Sequence, residues 1–391
     1  MQPQQDFNPQ PQMTPMPQQT PPMPGQMAPN PIQQPSTFQP IAQPQQVAVP
    51  VSNVSTATSH MAPQSSVDSA DMKRAREIID TLVNSFSSKV VGQEGLRTSL
   101  LVALMCNGHV LLESVPGLAK TTAAQSLADS ISVSFKRIQA TPDLLPSDVI
   151  GTQIYDYQKG KFETELGPVH ANFVLLDEIN RASAKTQSAL LEAMQERQTS
   201  IGGKVYPLPK PFIVLATQNP IEQEGTYELP EAQLDRFLLK ELLVYPTADE
   251  EVEILKRMDS GVLLKKTEAT GVTVEDILFV QDIVKKIYAD DSIKRYIVSV
   301  VTATRQAGQF IAPELAKYVQ YGASPRASIT FQQVARAIAL LEGRDYVIPE
   351  DVQKLRYSVL RHRIILNFEA VADQVHPEAI IDALFGAIQA P

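Results

Sequence analysis

His109-Val110-Leu111-Leu112-Glu113-Ser114-Val115-Pro116-Gly117-Leu118-Ala119-Lys120-Thr121-Thr122 reads as a short apolar strand, a turn on Pro116 and Gly117, and a helix from Lys120. A phosphate-binding loop belongs between such a strand and helix. Backbone N–H groups of the loop and helix start face phosphate oxygens there, and the helix dipole favours negative charge. In that role Lys120 reaches the β- and γ-phosphates and the Thr121 hydroxyl ligates Mg²⁺. The strict pattern GxxxxGK[ST] fails at both framing glycines, which are Ser114 and Ala119 here. Taken alone, the stretch reads equally as an ordinary strand–turn–helix with an exposed lysine.

Downstream, Phe173-Val174-Leu175-Leu176 is apolar throughout, as a strand covered on both faces should be, and it ends in Asp177-Glu178. A carboxylate at the C-terminal end of a buried parallel strand faces the ligand crevice. Asp177 is suited to hold Mg²⁺ through its water shell, and Glu178 to orient and polarise an attacking water. Two adjacent acids also occur at solvated strand ends. Their place, 57 residues after Lys120 on the next central strand, favours the functional reading. A further apolar strand, Phe212 to Thr217, ends in Gln218-Asn219-Pro220. Asn219 can reach the γ-phosphate or the water, or simply start a turn ahead of Pro220.

The surrounding periodicity sets the fold class. Ala75, Ile78, Ile79, Leu82 and Val83 recur at helical spacing, and a second helix spans about Gln93 to Cys106. Strands are expected at His109–Leu112, Val133–Ile138, Phe173–Leu176, Phe212–Ala216 and Leu238–Val244, with helices between. Alternating strands and helices imply an α/β unit with a parallel sheet and helices on both faces. After Pro246 strand signals stop. Helices are expected at Asp249–Met258, Val274–Tyr288, Ile293–Gln306, Arg326–Leu341 and Pro349–Val359, which make a separate all-helical domain. The expected division is residues 1–67, 68–246 and 247–391.

Composition marks the first boundary. Between Met1 and Val67 the only charged residue is Asp6, and that stretch holds 15 of the 30 prolines and 15 glutamines. Such a segment buries too little apolar surface to offset its ordering entropy and reads as a disordered tail with polyproline II character, a spacer or a docking arm. Over all 391 residues, 34 Lys plus Arg face 43 Asp plus Glu, a net charge of −9. That argues against nucleic-acid binding through a general basic face. A lone cysteine, Cys106, excludes an intramolecular disulfide framework and a multi-cysteine zinc site. The most apolar stretch, Ser99 to Leu112, is interrupted by Asn107, Gly108 and His109 and is too short to span a bilayer. With no signal-peptide pattern, the expected location is cytoplasmic.

Together the motifs resemble one family. Val90-Val91-Gly92-Gln93, Val115 to Thr121, Leu176-Asp177-Glu178-Ile179-Asn180-Arg181, Leu191 to Glu196, Ala216-Thr217-Gln218-Asn219-Pro220, Leu234-Asp235-Arg236-Phe237 and Gly322 to Ala327 occur in the order of the MoxR family of AAA+ ATPases. The resemblance runs from about Val67 to the end of the chain. It implies an AAA+ P-loop core of helix-2-insert type followed by a helical lid, and Mg²⁺-dependent hydrolysis of ATP. Nucleotide contacts are implied at Val91, Gly92, Pro116, Gly117, Leu118, Ala119, Lys120, Thr121 and Thr122, with Tyr245 and Pro246 at the hinge nearby, and metal contacts at Thr121 and Asp177. Glu178 corresponds to the catalytic carboxylate and Asn219 to sensor 1. Arg326 corresponds to sensor 2, touching the γ-phosphate from the lid, and Arg236 to an arginine finger given across a subunit interface. Arg181 is a second candidate for such a contact. Ser114 departs from the usual glycine, and a positive φ there would strain it. Gly151–Leu166 and Gln198–Tyr206 match the family's hairpin insertions. The resemblance further implies a hexameric ring and a chaperone-like role. It implies a separate partner, often one with a von Willebrand factor A domain, that is remodelled, matured or loaded with metal. Two rivals are a nucleotide-gated scaffold with little turnover and a nucleic-acid-associated motor.

Overall fold

Val110–Glu113 forms strand β1 in a computed structural model that describes residues 67–391 apart from Pro116, 221–225 and 264–268. The Pro/Gln-rich segment up to residue 66 and the turn residue Pro116 therefore lie outside the described residues. Ahead of β1 come helices α1 (Ser69–Lys89) and α2 (Glu94–Cys106). Ala75, Ile78, Ile79, Leu82 and Phe86 are the buried stripe of α1, and Asp68 caps it by accepting from the Ala70 N–H.

After β1 the chain forms α3 (Lys120–Ser130), β2 (Phe135–Gln139) and α4 (Pro146–Ile150), then a hairpin of β3 (Gly151–Asp156) and β4 (Lys161–Leu166). Next come β5 (Phe173–Asp177), α5 (Ala184–Glu196), a second hairpin of β6 (Gln198–Ile201) and β7 (Lys204–Pro207), β8 (Ile213–Gln218), α6 (Glu231–Leu234) and β9 (Leu239–Leu242). Both hairpins lie where the sequence places them. The second turns on Gly202 and Gly203, whose φ of 57° and 79° suits glycine.

The strand order β2-β5-β8-β1-β9 makes one five-stranded sheet, parallel throughout. Alternation along each strand divides the core. Val110, Leu112, Phe173, Leu175, Ile213 and Leu215 face one cluster with α1, α2 and α3. Leu111, Val174, Leu176, Val214 and Ala216 face the other with α5. Register puts Leu112 beside Thr217 and Gln139 beside Asp177. The C-terminal ends of β1, β2, β5 and β8 thus share one edge of the sheet.

The rest of the chain is α7 (Ala248–Asp259), α8 (Val274–Lys286), α9 (Asp291–Arg305), α10 (Ala307–Phe310), α11 (Pro313–Ala316), β10 (Val319–Tyr321), α12 (Pro325–Leu341), α13 (Pro349–Lys354), α14 (Arg356–Leu360), β11 (Ile365–Leu366), α15 (Phe368–Ala372) and α16 (Pro377–Ala387). This helical lid departs from the sequence expectation in two ways. β10 and β11 pair as a small antiparallel ribbon, too short to leave a period-2 signal. The helix expected over Pro349–Val359 breaks at Leu355, whose ψ is 25°.

Beyond that break the lid docks on β9, an edge strand of the sheet. Arg361 donates to the Lys240 carbonyl at 3.0 Å, and Arg363 donates to Phe237 at 2.7 Å and Leu238 at 3.2 Å. Nε2 of His362 lies 3.2 Å from the Phe237 carbonyl. Carbonyls that an edge strand would leave open are satisfied by side chains. Glu241 accepts from Ser99 of α2 at 2.8 Å and Ser358 of α14 at 2.7 Å, a further tie between core and lid. No helix among the described residues is long and apolar enough to cross a membrane.

Candidate active site

The loop from Ser114 to Ala119 turns the chain from β1 into α3. Gly117 has φ +87°, and a Cβ there would meet nothing within 4 Å, so the loop leaves open space over its backbone. Ala119 takes the left-handed conformation at φ 54° and starts α3 without a side-chain cap. The first N–H groups of α3, those of Lys120, Thr121 and Thr122, therefore have no side-chain acceptor at the cap and suit a ligand. The expected strain at Ser114 is absent, because Ser114 is not among the positive-φ residues. Its N–H continues the ladder to the Gln218 carbonyl at 3.1 Å. Its Oγ is buried and has no hydrogen-bond partner among the described residues.

Lys120 is half-buried beside Asp177 and Glu178. Desolvation lowers its pKa, and the two carboxylates oppose that shift. Asp177 ends β5 with its side chain only 9% exposed. Arg137 of β2 donates to Asp177 Oδ2 through Nε at 2.6 Å, and Thr217 Oγ1 lies 3.3 Å from Asp177 Oδ1. Glu178 is left-handed at φ 57°, and its N–H donates to Thr217 Oγ1 at 2.9 Å. Gln139 of β2 donates to Glu178 Oε2 at 2.8 Å, and Arg181 pairs with the same oxygen at 3.1 Å. Arg181 is thus engaged by a carboxylate of its own chain.

Asn219 directly follows β8, the strand between those that end in Asp177 and Glu113, so it reaches this same edge. The segment of Val91 and Gly92 is tied to the chain just beyond β9. Gln93 Nε2 donates to the Val244 carbonyl at 2.9 Å, and a Cβ on Gly92 would fall 2.3 Å from Glu250 Oε1. Tyr245 and Pro246 follow Val244 in the chain, so the proposed adenine segment and the hinge are neighbours.

Arg236 and Arg326 are elsewhere. Arg236 precedes β9, whose first residue pairs with Val110 at the start of β1. It therefore lies at the N-terminal edge of the sheet, about 13 Å of strand from the phosphate loop at 3.3 Å per residue. Arg326, near the start of α12, lines the same cavity of about 370 Å³ as Arg236, with Arg197, Arg363 and Asn107. Arg236 Nε is buried with no hydrogen-bond partner among the described residues. The lid docks on the β9 edge and carries α12, with Arg326, to the far end of the sheet from the phosphate loop.

Burial dominates the titration at that end. It pushes the Arg197 guanidinium down to about 10 and the His109 imidazole down to about 3. His109 Nδ1 accepts from the Val214 N–H at 3.0 Å, which requires a neutral acceptor nitrogen. Burial also lowers His362 well below its ordinary value.

Sequence reading missed Arg137, Gln139 and Thr217. Arg137 and Gln139 alternate on one face of β2, and the register opposite Asp177 brings them to the acids. A polar strand with such alternation was the available signal.

The residues at the C-terminal edge fit a magnesium nucleotide. A buried carboxylate stands beside a lysine, the α3 N-terminus lacks a side-chain cap, Gly117 leaves room for phosphate, and the Ser114 hydroxyl lacks a partner.

Residues 109–239 match the model of the ATPase family associated with various cellular activities (AAA), and residues 312–384 match the AAA lid domain. The chain is 50% identical over 305 residues to Chaperone MoxR1 of Mycobacterium tuberculosis, covering 77% of this chain and 79% of that one. It is 32% identical over 318 residues to Protein MoxR of Methylorubrum extorquens, covering 77% and 92%. A crystal structure from Cytophaga hutchinsonii, named as an ATPase, superposes with a TM-score of 0.78 at 44% identity, covering 82% of this chain and 97% of that one.

Proposed function

The chain belongs to the MoxR family of AAA+ ATPases, and from that premise we propose that it hydrolyses ATP at sites shared between neighbouring copies in a closed ring. The core spans residues 68–246 and the lid 247–391 in this reading. The observation that carries it is the division of the functional residues between opposite edges of one sheet. The phosphate loop, Asp177 and Glu178 occupy one edge, and Arg236 and Arg326 the other. A chain with both halves at opposite ends completes neither alone. Head-to-tail packing brings the arginine edge of one copy to the phosphate edge of the next, and repetition closes a ring.

Within such a site the backbone N–H groups from Gly117 to Thr122 and the Lys120 ammonium bind the phosphates. Thr121 and Asp177 hold Mg²⁺, which neutralises phosphate charge when bound. Glu178 accepts a proton from the attacking water, and Asn219 orients that water or the γ-phosphate. Arg236 and Arg326 of the adjoining copy stabilise charge that develops on the transferred phosphoryl group. Because Arg326 works across the interface, the lid senses the neighbour's nucleotide.

The name of the mycobacterial relative extends the proposal to chaperone work on a partner protein. Following the family resemblance, that partner carries a von Willebrand factor A domain and is remodelled, matured or loaded with metal. The exposed rings of Tyr157 and Phe162 on the first hairpin offer it an apolar contact. A second reading, a nucleotide-gated scaffold with little turnover, draws support from Gln139 and Arg181 both holding Glu178 Oε2.

Steady-state ATP hydrolysis against protein concentration tests the proposal. Turnover per chain should rise with concentration and be lost in Glu178→Gln and Arg236→Ala. Tight binding without turnover at any concentration would favour the scaffold.

A further inference from the structure

Asp235 immediately precedes Arg236 and touches the lid twice. Its Oδ2 accepts from Ser324 Oγ at 2.8 Å, and its Oδ1 accepts from Arg363 Nε at 2.7 Å. Ser324 is the N-cap of α12, and its Oγ also accepts from the Arg326 N–H at 3.1 Å. One hydroxyl therefore joins the Asp235 carboxylate to the backbone of Arg326. The side chain of Arg363 is 2% exposed, and its other nitrogens donate to the Phe237 and Leu238 carbonyls that flank the same turn and to the Val359 carbonyl and Thr330 Oγ1 within the lid. Asp235 and Ser324 are 89 residues apart, one in the core and one in the lid.

Charge makes this arrangement more than packing. Arg197, Arg236, Arg326 and Arg363 crowd one cavity, with Asp235 the only carboxylate of its lining among the described residues. Without that acid, the arginines would repel one another and Arg363 would be buried unpaired. Neutralising Arg363 while leaving Arg236 and Arg326 to their own positions keeps two cations for an anionic ligand. The carboxylate also fixes the spacing of those two, since each lies within two residues of a group that Asp235 or Ser324 holds.

We propose that Asp235, acting with Ser324, is a positioning residue that locks Arg236 of the core and Arg326 of the lid into one unit, delivered together to the nucleotide of a neighbouring copy. This rests on the shared-site reading of the preceding section and adds to it. The two arginines do not act as independent contacts. A shift of the lid that moves Arg326 also moves the finger, so nucleotide state at one interface is felt by both.

The test uses full-length chains in which the two half-sites are separated. A Lys120→Ala chain has intact arginines and a defective phosphate loop, and an Arg236→Ala chain has the reverse. Mixed, they regain ATP turnover only at interfaces where the first serves the second. Asp235→Asn is then added to one partner at a time. Placed on the Lys120→Ala chain it should reduce the regained turnover about tenfold or more, through misplacement of the arginines. Placed on the Arg236→Ala chain it should leave turnover within about twofold, since that chain contributes only its phosphate edge. Binding of a fluorescent ATP analogue should be unchanged in both. Ser324→Ala, which removes the hydroxyl link while sparing the Arg363 pair, should show the same asymmetry and serves if Asp235→Asn unfolds the chain. Equal effects from either placement, or none from both, would overturn the positioning role and leave the shared site standing. Failure of the unmodified mixture to regain turnover would overturn the shared site and the positioning role with it.

Discussion

The two edges of the parallel sheet contrast in charge and in polar satisfaction. At the C-terminal edge two carboxylates meet one lysine, and each acid is already paired, Asp177 with Arg137 and Glu178 with Arg181. At the N-terminal edge arginines outnumber acids, and Arg236 keeps a buried nitrogen without a partner among the described residues. One edge has an uncapped helix start and the other an excess of guanidinium donors. The difference teaches that charge is sorted by the direction of the strands, so in the proposed shared site a single copy would present two complementary halves.

Removing either half should show that neither suffices. Arg236→Ala should reduce turnover about a thousandfold while nucleotide binding is retained, the effect of losing an arginine finger. Equal losses of binding and turnover would instead place Arg236 in its own chain's site. Glu178→Gln should cost about a hundredfold or more in turnover through loss of the general base, with ATP binding preserved in an equilibrium assay. Arg326→Ala should lower turnover about tenfold, and its defect should follow the chain that supplies arginines in mixing experiments.

Acid should strike the arginine edge first. His109 and His362 are buried and neutral there, with folded pKa values below the unfolded one. The unfolded chain binds those protons and the folded chain does not. Stability from these residues is therefore present above the unfolded pKa of about 6.5 and is lost as the pH falls below it, by up to about 1.4 kcal/mol per pH unit for each histidine. Chemical denaturation between pH 8 and pH 5 measures the slope, and His109→Gln should reduce it. An unchanged slope would show that these imidazoles are not the acid-sensitive groups.

The smallest effect belongs to Arg137. Its guanidinium is half exposed and competes with a cation for Asp177. Arg137→Ala should lower the Mg²⁺ concentration needed for nucleotide binding by a few-fold, as expected of a partly solvated ion pair. A higher requirement would mean Arg137 helps to hold the phosphates.

Much of this was legible in the sequence, for identifiable reasons. Phe173–Leu176 has no polar residue because helices cover both its faces, and so its strand, its acidic end and its neighbours along the phosphate edge could be read directly. Both hairpins were legible through the family resemblance, which places insertions at Gly151–Leu166 and Gln198–Tyr206. The arginine edge was less legible because its contacts are long-range. Asp235 meets Arg363 across 128 residues, and no local period encodes where a lid docks. The place of Arg326 was not legible, since its chain position says nothing of which sheet edge α12 approaches. Arg137 and Gln139 lay on a strand whose exposed, polar pattern hid its role beside Asp177. The break at Leu355 follows the same rule, because it serves a docking surface provided by β9.

Mixing the Lys120→Ala and Arg236→Ala chains tests the central claim most directly. Each alone should be nearly inactive. An equal mixture should regain roughly a quarter of wild-type turnover per chain, the share of interfaces that pair an intact phosphate edge with an intact arginine edge in a randomly assembled ring. A mixture as inactive as its parts, with both variants folded and co-assembled, would contradict the account and return both arginines to their own chain.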